Sequence, residues 1–200
     1  RDFGGAEADG GNAIEILQDD SYFIGGYSQS SDSTSYNFAV WYFNADDELQ
    51  WYKTYGTNGF DQILAIEKTN DNGLVLLGET NSTIDGFADI LLIRIDNNGD
   101  ELWRNQIENL GVNKGYVIRH LSGDDFLIGG EVHDDVLDRK SSLLIKINGL
   151  NGAVINQLQV NTGVSSQIND FYFTDPNYIF AIGEYVNNQG TGGAVWYKIE

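Results

Sequence analysis

LQWYKTYGTNGFDQILAIEKTNDNGLVLLGETNSTIDGFADILLIRIDNNGDELW, residues 49–103, holds one complete copy of a pattern that runs through all 200 residues. Its Gly78, which closes the apolar run LVLL, belongs to the series Gly26, Gly78, Gly130 and Gly183, spaced 52, 52 and 53 apart. Ile95, at the end of ILLIRI, belongs to Phe43, Ile95, Ile147 and Ile199, 52 apart throughout. Trp51, Trp103 and Ile155 form a third series, and Ile14, Ile66, Ile118 and Phe171 a fourth. A fixed period of this kind means one structural unit used repeatedly, and here it is used four times.

Within a unit the apolar stretches read as four strands. In the first they lie near Ala13–Leu17, Tyr22–Tyr27, Phe38–Phe43 and Leu49–Tyr55. No window sustains helical spacing. The connections are short and rich in Asn, Asp and Gly, which favours antiparallel hairpins, since a parallel crossover needs a dozen residues or more. The second and third strands are apolar almost without interruption, as in LVLLG and ILLIRI, so both their faces must be covered. Stacking the sheets face to face around an axis covers every copy. The sequence therefore predicts an all-β fold, a four-bladed β-propeller of four-stranded antiparallel blades. It forms a single domain with units of about 5–56, 57–108, 109–160 and 161–200 plus 1–4. Arg1–Gly4 lies one period before Lys53–Gly56, and four periods of 52 exceed the 200 residues by eight. Arg1–Phe3 is thus expected to pair as the fourth strand of the last blade, closing the ring through the N-terminal strand.

The 49–103 stretch resembles the "W-x-K-T-Y-G-G … T-x-D-G-G-Y-I-x-x-G … W-L-I-K-L-D" repeats of secreted or lipid-anchored Bacteroidetes surface proteins. It is more loosely similar to the delta-60 β-propeller repeats of large bacterial surface proteins. The likeness covers essentially the whole chain, although such proteins often carry more than four units. The resemblance implies a propeller that is secreted or held at the cell surface. Its motifs are turn glycines and core apolar residues, which speak to fold and hardly to activity.

Thirty acidic against 11 basic residues give a formal charge of -19, which repels polyphosphate and makes nucleic acid an unfavourable partner. With no cysteine, disulfides and thiolate metal sites are excluded. No apolar run approaches the ~20 residues of a membrane span, and the first residues lack the pattern of a signal peptide.

Asp9, Asp61 and Asn113 share one repeat position before the first strand, with Ser166 as the nearest counterpart in the fourth unit. The first strand of a propeller blade lines the central channel, so four oxygen-bearing side chains would ring its mouth and suit Ca2+ or another hard cation. The competing reading is that each bonds its own turn or the neighbouring blade. Asp96–Glu101 looks like the start of a calcium loop but sits where every unit has a hairpin turn. The loops between second and third strands differ most among the copies, and they are where a glycan or protein ligand is expected. Tyr36, Phe87, His133 and Asn188 represent them, and 131–138 is the densest acidic segment. Trp41, Trp51, Trp103 and Trp196 have the chemistry to stack on sugars, yet their strand positions point to core packing. With two histidines, no cysteine and no nucleophile motif, the expectation is a non-catalytic binding, adhesion or structural module, as a monomer or as a homodimer forming an eight-bladed ring. The alternative is a carbohydrate-active enzyme using paired carboxylates.

Overall fold

The computed structural model describes residues 4–5, 7–29, 35–57, 59–81, 88–108, 113–134, 138–160, 164–175, 178–187 and 189–199. The first sheet comprises β1 (Asp9–Ile16), β2 (Tyr22–Gln29), β3 (Tyr36–Phe43) and β4 (Leu49–Tyr55). The second holds β5 (Asp61–Lys68), β6 (Leu74–Thr80), β7 (Asp89–Ile95) and β8 (Glu101–Ile107). The third holds β9 (Asn113–His120), β10 (Asp125–Asp134), β11 (Arg139–Asn148) and β12 (Val154–Val160). The fourth contains β13 (Ser165–Asp175), β14 (Tyr178–Val186) and β15 (Gly192–Ile199). Every sheet is an antiparallel meander in chain order. The expected pairing of Arg1–Phe3 lies outside the described residues.

The turns are held by the side chains that the sequence places there. Asp96 Oδ1 accepts the N–H groups of Asn98 and Asp100, both at 2.8 Å. Asn44 does the same for Asp46 and Glu48 one period earlier. The calcium-like run is therefore a hairpin cap. The repeat glycines answer a different need. Each first strand carries a β-bulge, and its carbonyl presses on the second strand. A Cβ on Gly26, Gly78, Gly130 or Gly183 would stand 1.8, 2.0, 1.8 and 1.8 Å from the carbonyl oxygens of Gly10, Gln62, Lys114 and Gln167. No side chain fits there.

The core lies between sheets. Phe23, Phe38, Val40 and Tyr55 of the first sheet meet Ile63, Leu76, Leu91 and Ile93 of the second. Val75, Leu77 and Leu92 meet Ile128, Leu143 and Ile145 of the third. Val117, Leu127 and Leu144 meet Ile168, Phe171 and Ala181 of the fourth. Strands β6 and β7 are buried at every residue, as their unbroken apolar runs require. In each interface the first strand of the later sheet lies across the first three strands of the earlier one. This stacking joins first to second, second to third and third to fourth; none of β13–β15 stacks in the same way on β1–β4.

Candidate functional site

Of the residues expected at a channel mouth, Asp9, Asp61 and Asn113 open the first strand of their sheet and Ser166 is the second residue of its own; each is hydrogen-bonded within its turn or to the preceding sheet. Gly5 N–H donates to the Asp9 carboxylate. Buried Asp61 accepts the Thr57 N–H at 2.6 Å and its hydroxyl at 3.0 Å. Asn113, also buried, donates its amide to Asp89 Oδ1 of the preceding sheet at 3.3 Å. The Ser142 hydroxyl donates to Ser166 Oγ at 3.0 Å, again across a sheet boundary. Among the described residues no three His, Cys, Asp or Glu side chains converge to hold a metal ion.

A second periodic series stands beside the repeat glycines. Glu79, Glu131 and Glu184 each follow the repeat glycine, at spacings of 52 and 53. Glu79 and Glu131 are buried. Lys114 of the third sheet reaches Glu79 of the second at 3.0 Å, and Lys140 reaches Glu131 at 3.0 Å. The Tyr116 hydroxyl, on the bulged residue of β9, is pushed well above the usual phenol range by burial, reinforced by Glu131, Glu79 and Glu184. The Lys114–Glu79 pair ties the third sheet to the second, and the Lys140–Glu131 pair joins neighbouring strands of the third sheet.

The loop end of the third and fourth sheets carries a pocket of about 260 Å³ lined by His133, Lys140, Gln167, Glu184 and Tyr185 among others. His133 Nε2 lies 3.5 Å from Asp138 Oδ1. Tyr36 instead packs in an aromatic group, with ring centroids 5.3 Å from Tyr27 and 5.0 Å from Phe60. Phe87 and Asn188 lie outside the described residues. No family model matches this chain, and no curated protein is detectably similar to it.

Among the described residues, the opposite, turn end carries larger grooves. One, of about 510 Å³, is bordered by Glu67, Lys68 and His120. Burial raises the Glu67 carboxyl above its ordinary value, opposed by the His120 N–H that it accepts at 3.1 Å, and Glu15 adds to the rise. Another, of about 440 Å³, lies between the first two sheets over Phe23, Tyr42 and Trp51. The four tryptophans thus divide. Trp41 is buried, as core packing requires, and Trp103 donates its indole N–H to Gly149 O at 2.9 Å. Trp51 borders the groove, and Trp196 is exposed. Strand position alone hid that difference, because Trp41 packs on Tyr52 of its own sheet whereas Trp103 is met by Gly149 of the next unit.

Proposed function

We propose that the chain is a non-catalytic binding or structural module, secreted or at the cell surface, whose four sheets are the blades of a closed propeller. The observation that carries the closure is a comparison between equivalent positions. Ile66, Ile118 and Phe171 are 5%, 0% and 6% exposed because the preceding sheet covers them, whereas Ile14 is 58% exposed. On the opposite face Val40, Leu92 and Leu144 are 0%, 0% and 5% exposed, whereas Trp196 is 68% exposed. The first sheet lacks a predecessor and the fourth a successor. Each therefore offers the face that the other lacks, and large apolar patches of this kind mark contact surfaces. Closure within one chain makes a monomer, so the solution mass should be near 22.2 kDa rather than twice that.

The binding role is supported by where the polar side chains go. On the strands they are spent on latches between sheets, such as Asn113 to Asp89, Lys114 to Glu79 and Arg119 to Asp170 at 3.0 Å. The open pockets lie at the turn and loop ends, where ligand specificity is usually carried. A glycoside-cleaving enzyme is the competing reading, favoured by the raised carboxyl of Glu67 beside Glu15. Incubation with a panel of polysaccharides, with detection of released sugars, separates the two: turnover refutes the binding module, and retention without products supports it.

A further inference from the structure

We propose that the 440 Å³ groove between the first two sheets is a binding site for an uncharged saccharide; this deepens the reading of the chain as a binding module and rests on it. The volume falls within the ~300–1,000 Å³ typical of small-molecule sites. The floor is an aromatic group: Phe23 stacks on Tyr42 with centroids 4.6 Å apart, and Trp51 lies 5.6 Å from Tyr42 and 5.7 Å from Phe23. The rim is made of exposed amides from three separate turns, Gln18, Asn72, Asn97 and Asn98.

The equivalent space between the second and third sheets is filled. One period after Tyr42 stands Arg94. Its guanidinium donates to Gly149 O at 2.7 Å and to Asp71 Oδ2 at 2.9 Å, while Trp103 donates to the same carbonyl. In the first unit neither the Tyr42 hydroxyl nor the Trp51 indole N–H has a hydrogen-bond partner among the described residues, and the same holds for the four rim amides. The groove thus combines an aromatic floor, with Trp51 tilted against the Phe23 and Tyr42 rings, and a ring of open donors and acceptors. A pyranose presents the matching chemistry, apolar C–H faces and hydroxyls that both donate and accept.

The charges argue for a neutral ligand. Lys53, 5.9 Å from the Trp51 ring, is already paired with Asp100 at 2.7 Å. Asp19 at the rim accepts the Ser21 hydroxyl at 2.6 Å. Among the described residues no unpaired cation lines the groove to hold a uronate or a sulfated sugar, and the formal charge of -19 repels both.

The test uses immobilised neutral oligosaccharides of gluco, manno, galacto and xylo configuration, with uronate and amino-sugar counterparts, followed by titration calorimetry of any binder. The expected result is retention of a neutral sugar, weakened about tenfold, or ~1.4 kcal/mol, by Trp51→Phe and by Asn97→Ala. Gln159→Ala, on the exposed strand β12, should leave it unchanged. Asn97 lies in an exposed turn, so that variant keeps the test valid should Trp51→Phe fold poorly. No retention of any neutral sugar, preference for the charged counterparts, or affinity unchanged in both groove variants overturns the assignment. Released soluble sugar instead overturns the underlying reading of a binding module.

Discussion

Replacing Ile14 by Ala, beside the same change at Ile118, measures whether the stack of sheets closes. Ile118 is fully buried in the interface of the second and third sheets. Its truncation removes three carbons and leaves a cavity, a change that costs ~2–5 kcal/mol in packed cores. Ile14 occupies the same repeat position with more than half of its surface open. In an open stack most of that surface is already hydrated, and its truncation should cost under ~1 kcal/mol. In a closed ring the fourth sheet covers Ile14, and the two truncations should cost similar amounts. Urea unfolding followed by circular dichroism and by tryptophan fluorescence gives both values, provided the denaturant slope is unchanged and the two signals coincide. An Ile14→Ala cost below ~1 kcal/mol, beside an Ile118→Ala cost above ~2 kcal/mol, refutes the closure argument.

Gly130→Ala is expected to cost ~3 kcal/mol because its new methyl collides with the Lys114 carbonyl. Gly123→Ala, with open space around a φ of +65°, should cost only ~1 kcal/mol; equal losses in chemical denaturation would contradict the bulge explanation. Burial raises the folded-state value for Glu67, so the stability it contributes is present below the ordinary carboxylate range and lost as pH rises through the folded value. Glu67→Gln should accordingly melt higher than the parent at pH 7, with the gap closing below about pH 4; a gap that widens on acidification reverses the sign and defeats the assignment. Because the Asp61 carboxylate holds its own turn, while the Asn113 amide N–H and the Ser166 hydroxyl bond to the preceding sheet, millimolar calcium or EDTA should leave the melting temperature unchanged. A rise with calcium would restore the channel-mouth cation site.

Repetition made the strands, their order and the glycine series readable, because each depends on residues inside one unit, while the use of those glycines opposite bulges rather than in turns emerged only from the strand pairing. Gly78 and its counterparts could be singled out by spacing, and the continuous runs in β6 and β7 announced double-sided burial. The groove was harder. Trp51 reads as a core residue from its repeat position, and whether it and its neighbour Tyr42 are covered depends on what a different unit places opposite them. Arg94 fills the space one period on, while Tyr42 leaves it open. Glu79, Glu131 and Glu184 were in plain view beside the glycines, but glutamate in a strand reads as solvated until a lysine from the next sheet is seen to meet it. The mouth residues Asn113 and Ser166 carried the right chemistry for a cation, and only the partners Asp89 and Ser142, a whole unit boundary away, give them another use.

Every described hydrogen-bonded strand pair joins consecutive strands, which bears on how the molecule assembles. Each meander needs only short loops to form, so the entropy of bringing its strands together is small and each sheet can nucleate independently. Stacking then proceeds between nearest neighbours, as in other repeat proteins. In the closed ring proposed above, the meeting of the fourth sheet with the first is the one event that must gather nearly the whole chain into a loop. That step should be the slowest and the most easily diverted to a second molecule, which makes the refolding rate and its dependence on protein concentration reporters of the last joint rather than of the sheets.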